Sequence, residues 1–178
     1  MDGLGAPAHE VILSTEPDAT DPPPTLIPLA AEYDCAVIWL LRHGDAEDGD
    51  DDDARRLTNK GESQAERAGR ALAALDVQLD ACLTSPKVRA LDTAKIACRH
   101  LGLEPEVADE LAGGSFDLDA LAAGRGDVVL VGHEPDFSNA IADATGARVK
   151  LKKGGLAGVD GSLLHVLVRP GDLKQIAG

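Results

Sequence analysis

Three short, branched apolar runs punctuate this chain, and each leads into a segment of helical spacing. Ala36–Leu41 (AVIWLL) is apolar at every position, as a strand buried on both faces requires. Asp80–Thr84 (DACLT), apolar at its centre, reads as a second strand, and Val128–Val131 (VVLV), apolar throughout, as a third. Between the first two, Thr58 can cap a helix running to about Leu75, with Ala65, Ala68, Leu72 and Leu75 three and four residues apart on one face. After the second, Pro86 fits the first turn of a helix that would bury Leu91, Ala94, Cys98 and Leu101. After the third, a helix is expected from about Pro135 to Ala144, ending near Gly146. Leu156–Val159 and Leu163–Val168 read as late strands around the Asp160-Gly161 turn. Alternation of buried strands and helices predicts an α/β fold, a three-layer α/β/α arrangement around a mainly parallel central sheet. Such sheets bind ligands at the carboxyl ends of their strands.

Charge is distributed unevenly. The net charge is −14, which disfavours a binder of nucleic-acid backbones, and aromatic residues make up only 2% of the chain, too few for a base-stacking platform. Residues 1–34 carry seven acids, no Lys or Arg, and six of the ten prolines. They read as an acidic, Pro-rich N-terminal extension outside the core, with Glu10–Leu13 a weak edge-strand candidate. Residues 45–53 (DAEDGDDDD) hold seven more acids. Within this run, Asp48–Asp53 reads as a solvated loop, close enough to the first strand exit to repel small polyanions or to meet a basic protein face.

Three cysteines with no CxxC pair argue against a disulfide or zinc framework and fit a reducing compartment. No apolar run is long enough to span a bilayer, and the N-terminus lacks the pattern of a signal peptide. The expectation is a cytoplasmic protein with no membrane partner; the sequence leaves the oligomeric state open and favours a monomer slightly.

The chemistry gathers at the strand exits. The first ends in Arg42-His43-Gly44, the second in Ser85-Pro86 with Arg89 one turn further on, and the third in Gly132-His133-Glu134-Pro135. Two guanidiniums can fork onto the oxygens of a tetrahedral dianion, and helix N-termini add free N–H groups. A histidine beside two arginines has its cationic form disfavoured and stays neutral. A neutral imidazole facing a clamped phosphoryl group suggests in-line attack and a phosphohistidine intermediate, with no cofactor or metal required. His43, Asp45, His133 and Glu134 could alternatively ligate a divalent ion, and a phosphate-binding protein without turnover is a third possibility. Ser85 reads as a helix cap beside the site. His165 reads as a sheet residue, His100 as a helix-surface residue and His9 as part of the extension, while Lys150, Lys152 and Lys153 read as a solvated edge, with anion steering toward the site as the alternative.

These residues resemble the histidine phosphatase superfamily, the phosphoglycerate mutase-like or RHG family. Arg42-His43-Gly44 matches its RHG signature. Residues 57–65 (LTNKGESQA) resemble its LTxxGxxQA, residues 85–94 (SPKVRALDTA) its SPxxRAxQTA, and Val131-Gly132-His133 its VGH. Asp92 stands where the family often has Gln. Only 43 residues separate Arg89 from His133, too few for the additional subdomain of the larger members. The RHGDAE opening and the late KKGGLAGVD segment are similar to the short SixA-like phosphohistidine phosphatases.

The resemblance implies a phosphoglycerate mutase-like fold over residues 35–178, with His43 as the phosphorylated nucleophile. It implies that Arg42, Arg89 and His133, with Ser85 beside them, bind the phosphoryl group. Glu110 and Asp45, with Asp109, are positional candidates for a carboxylic general acid. The implied activity is metal-independent hydrolysis of phosphohistidine on proteins, releasing inorganic phosphate; the alternative is the same chemistry on small phosphomonoesters such as sugar or nucleotide phosphates. An imidazole leaving group can collect its proton beforehand near neutral pH, whereas an alkoxide needs a positioned acid.

Overall fold

The computed structural model describes residues 36–177. The extension 1–34, with His9 and Glu10–Leu13, lies outside the described residues. A six-stranded sheet is formed by β1 (Ile38–Arg42), β2 (Ala81–Thr84), β3 (Pro105–Val107), β4 (Val128–Gly132), β5 (Leu156–Asp160) and β6 (Leu163–Val168), in the order β3-β2-β4-β1-β5-β6. The β3, β2, β4 and β1 pairings are parallel, whereas β5 and β6 are antiparallel additions beside β1. Register places Arg42 opposite Gly132 and Thr84 opposite Val131, so three strand exits end side by side.

Two apolar layers sandwich the sheet. Trp39, Leu41, Val129 and Val131 face one core shared with α1 (Asn59–Ala74), α2 (Val88–Leu101) and α5 (Pro170–Ile176). Ile38, Leu40, Val128 and Leu130 face the other, with α3 (Leu118–Ala122) and α4 (Asp136–Thr145). Alternate residues of one strand enter opposite cores, which is why these runs are apolar throughout. The helices α1 and α2 pack closely: a methyl group on Gly69 would lie 2.5 Å from the Ala97 carbonyl oxygen.

Several boundaries differ from expectation. Pro86 lies before α2 rather than in its first turn, because Lys87 is the N-cap. Leu91 is only half-buried, and the inner face of α2 is instead made by Ala90, Ala94, Ala97 and Cys98. The short edge strand β3, with Glu106 and Val107 exposed, carries no apolar signal. The helices α3 and α5 and the 3₁₀ turn Asp109–Ala112 are likewise too short for a clear periodicity. No helix among the described residues is long and apolar enough to cross a membrane.

Candidate active site

The strand exits build one pocket, with a cavity volume of ≈ 340 Å³, whose walls include Arg42, His43, Arg89 and His133. Arg42 ends β1, and its Nη1 donates to the Leu151 carbonyl at 2.8 Å. His43 follows, its backbone N–H held by the Gly132 carbonyl at 3.0 Å. Its ring Nδ1 lies 2.7 Å from the Gly44 carbonyl oxygen. A carbonyl only accepts, so Nδ1 carries the proton and the neutral ring presents its lone pair at Nε2. Arg89 Nε donates to that nitrogen across 3.4 Å. His133 comes from the end of β4; its Nε2 lies 2.8 Å from the Ser85 hydroxyl, and its ring centroid is 5.1 Å from that of His43.

The turn that carries His43 depends on close backbone approach. A Cβ on Gly44 would sit 2.5 Å from the Gly61 carbonyl oxygen, and one on Gly61 would sit 1.9 Å from that of Asp45. Thr58 caps α1 by accepting from the Gly61 N–H at 3.1 Å. The Gln64 side chain accepts from the Asp45 N–H at 2.8 Å, and the Thr93 hydroxyl from the Gly44 N–H at 3.0 Å. Residues 57–65 and 85–94 are thus the supports of the strand-exit turn.

Both histidines are held neutral. Burial pushes His43 down to about 4, with Arg89, Arg42 and Lys153 adding repulsion and the Gly44 hydrogen bond opposing it. Burial also pushes His133 down to about 3, helped by His43, Arg89 and Lys87. Neutrality was expected from the arginines, but desolvation is the larger cause.

A family profile for the histidine phosphatase superfamily (branch 1) matches residues 38–118. An uncharacterised protein of Picosynechococcus is 39% identical over 138 residues, 68% of this chain and 83% of that protein. The fold superposes on the protein histidine phosphatase SixA complexed with tungstate at a TM-score of 0.67, with 24% identity, covering 77% of this chain and 99% of that one. SixA of Agrobacterium tumefaciens gives 0.67 at 25% identity, covering 76% and 99%. The chain belongs to the histidine phosphatase superfamily. Over the described residues its fold is that of the SixA structures. The serine/threonine-protein phosphatase Pgam5 of Drosophila melanogaster is 40% identical over 70 residues, which span 39% of this chain and only 24% of that protein.

The carboxylates are arranged differently from the sequence expectation. Glu110 and Asp109 belong to the 3₁₀ turn and line a different cavity with Glu106 and Arg125, so the fold does not bring them to His43. Asp45 accepts from Lys153 Nζ at 2.7 Å and from the Thr58 hydroxyl at 3.3 Å. The Lys153 hydrogen bond, the largest cause, holds its carboxyl below the usual range, which makes it a poor proton donor at neutral pH. The carboxylates that do line the pocket are Asp52, Glu134 and Asp136. Ser85 is not the cap of α2; its hydroxyl accepts from the Lys87 N–H at 3.3 Å and faces His133.

Lys153 is also a wall of the pocket rather than part of a solvated edge. Sequence spacing gave no sign of this, because the residue arrives on the turn before β5, where Gly154 N–H bonds the carbonyls of Arg42 and His43 at 3.0 Å each. Arg55 and Lys87 are further cationic walls missed in the sequence. Among the described residues no three His, Cys, Asp or Glu side chains come together to hold a metal ion. His165 lies on β6 and pairs with Asp160 at 3.3 Å, and His100 pairs with Glu66 at 2.9 Å on the α1–α2 surface.

Proposed function

We propose that this protein is a phosphatase that hydrolyses phosphohistidine on proteins through a covalent intermediate on His43. The lone pair of His43 Nε2 attacks phosphorus in line, and the P–N bond to the substrate imidazole breaks; that ring, already protonated on its other nitrogen, keeps the bonding pair and leaves as neutral imidazole. Arg42, Arg89 and His133 hold the equatorial oxygens as charge redistributes. Water then attacks phosphorus on His43, the new P–N bond breaks, inorganic phosphate leaves and the released proton passes to solvent. Two buried nitrogens at the site, Arg42 Nε and His133 Nδ1, have no hydrogen-bond partner among the described residues, and phosphoryl oxygens would supply acceptors.

The observation that carries the substrate class is the chemistry of the pocket wall. Apart from Ala112 and Gly113, every lining residue is charged or a histidine. Such a wall grips a phosphoryl group and offers little apolar surface on which a nucleotide base could stack. A substrate whose remaining binding energy comes from a protein surface fits better. The names of the similar proteins point the same way, since SixA is a protein histidine phosphatase and Pgam5 a serine/threonine-protein phosphatase. The second reading, hydrolysis of small phosphomonoesters, is favoured by Glu134 and Asp136, carboxyl groups at the pocket from which an alkoxide could draw its proton.

A turnover assay in EDTA, with a phosphohistidine-bearing protein, a phosphohistidine peptide and an aryl phosphate, separates the two. The expected result is preference for the phosphoprotein, lost in His43→Ala. Turnover of the aryl phosphate alone would overturn the substrate assignment, and loss of activity in EDTA would overturn metal independence.

A further inference from the structure

The acidic run 45–53 is largely solvent-exposed but tethered at both ends. Its base is closed by a bridge between Ala46 and Leu57 and by the Glu47 N–H on the Arg56 carbonyl at 2.9 Å. Arg55 Nε reaches across to the Glu47 carbonyl at 2.6 Å. Its far side is tied to the start of α2, where the Val88 N–H donates to the Asp53 carbonyl at 3.0 Å. This strap sets Asp52 on the pocket wall. Asp52 Oδ2 lies 2.8 Å from Lys87 Nζ and 3.1 Å from Arg89 Nη2, and Oδ1 lies 3.1 Å from Arg55 Nη1. The Asp52 backbone carbonyl accepts from Arg89 Nη1 as well. Three of the five Lys and Arg side chains that line the pocket therefore converge on one carboxylate.

The guanidinium of Arg89 is bracketed by two partners. Its Nε faces His43 Nε2, and both its Nη nitrogens face Asp52. A phosphoryl group reaching His43 must share this fork with a carboxylate held ionised by the Lys87 hydrogen bond first and the Arg89 and Arg55 bonds after it. Two anions on one guanidinium repel, and the repulsion grows with the charge of the incoming group.

We propose that Asp52 is a specificity-determining carboxylate, which competes with free phosphate and dianionic phosphomonoesters for Arg89 and admits phosphoryl groups whose carrier brings a positive charge beside them. The half concerning the carrier rests on the function proposed above. A phosphoimidazole fits it, because its second ring nitrogen can take a proton and offset Asp52, which an alkyl or aryl ester cannot do. The half concerning phosphate stands on the Asp52–Arg89 contact alone. One consequence is weak product inhibition, since inorganic phosphate meets the same carboxylate.

The test compares the full-length wild type with Asp52→Asn and Asp50→Asn. Asp50 belongs to the same acidic run and is exposed, so its variant makes the same charge change away from Arg89. Titration with inorganic phosphate is expected to give a Kd about 10-fold lower for Asp52→Asn and nearly unchanged for Asp50→Asn. The ratio of kcat/KM for an aryl phosphate to that for a phosphohistidine peptide is expected to rise in Asp52→Asn only. Unchanged or weaker phosphate binding in Asp52→Asn, or equal tightening in both variants, would overturn the proposal. Tighter phosphate binding in Asp52→Asn with no phosphohistidine turnover by the wild type would support the competition with phosphate and count against the phosphohistidine function.

Discussion

Arg89 donates from Nε toward Nε2 of His43 across 3.4 Å, while the opposite ring nitrogen of His43 is taken by the Gly44 carbonyl at 2.7 Å. The ring therefore keeps its one lone pair at Nε2, where the long contact from the Arg89 guanidinium orients it. Replacing His43 by Ala is expected to lower kcat by more than about 10³-fold, since no second nucleophile replaces it. Acid-quenched wild type mixed with substrate should show the mass of one phosphoryl group on the peptide containing His43. Normal turnover by the variant would sink the covalent mechanism.

His133 Nε2 and the Ser85 hydroxyl lie 2.8 Å apart in a buried setting, and His133 Nδ1 has no hydrogen-bond partner among the described residues. Ser85→Ala leaves both ring nitrogens without partners. The expected loss of stability is about 1–3 kcal/mol, read from chemical denaturation. Because the ring is then free to turn, kcat should fall about 10-fold or more. Ser85→Thr, which keeps the hydroxyl, should recover part of the activity.

The three buried strands and their polar exits were legible because an apolar run of period one is a strong signal, and so Arg42, His43, Arg89 and His133 fell into place together. The acidic run and the late lysines were legible as charge near the site, but the contact of Asp52 with Arg89 and the place of Lys153 in the pocket wall were not. Each reaches the pocket through a loop whose path is set by backbone bonds, Val88 to Asp53 in one case and Gly154 to Arg42 and His43 in the other. Local sequence carries no period for such contacts. Glu110 failed for the same reason, since position after β3 did not reveal that the 3₁₀ turn directs it to another cavity.

Gly61 sits where the first turn of α1 meets the turn after His43. A methyl group there would lie 1.9 Å from the Asp45 carbonyl oxygen, a backbone atom that cannot swing away. Gly61→Ala is expected to cost about 1–3 kcal/mol through overpacking. It should also push the Arg42-His43-Gly44 turn out of register with Arg89, so activity falls even where the fold survives. Ala at Gly171, where no atom lies within 4 Å of the added methyl, should be nearly neutral in both assays. Equal behaviour of the two variants would contradict the close approach.

The two histidines give the protein a defined response to acid. Burial is the first cause that lowers His43 to about 4 and His133 to about 3, from an ordinary value of 6.5. Between pH 6.5 and about 4 the unfolded chain binds protons at these positions and the native one does not. Stability therefore rises with pH across that window and is lost as pH falls through it, by at most about 1.4 kcal/mol per pH unit for each histidine. Above pH 6.5 this contribution is flat. Urea midpoints at pH 7.5, 6 and 5 should fall more steeply for wild type than for His43→Gln. In turnover, the acid limb of kcat/KM should lie near pH 4, because that is where the free enzyme's His43 loses its lone pair to a proton. An acid limb at 6.5 together with parallel urea curves would mean that the rings are hydrated and not buried.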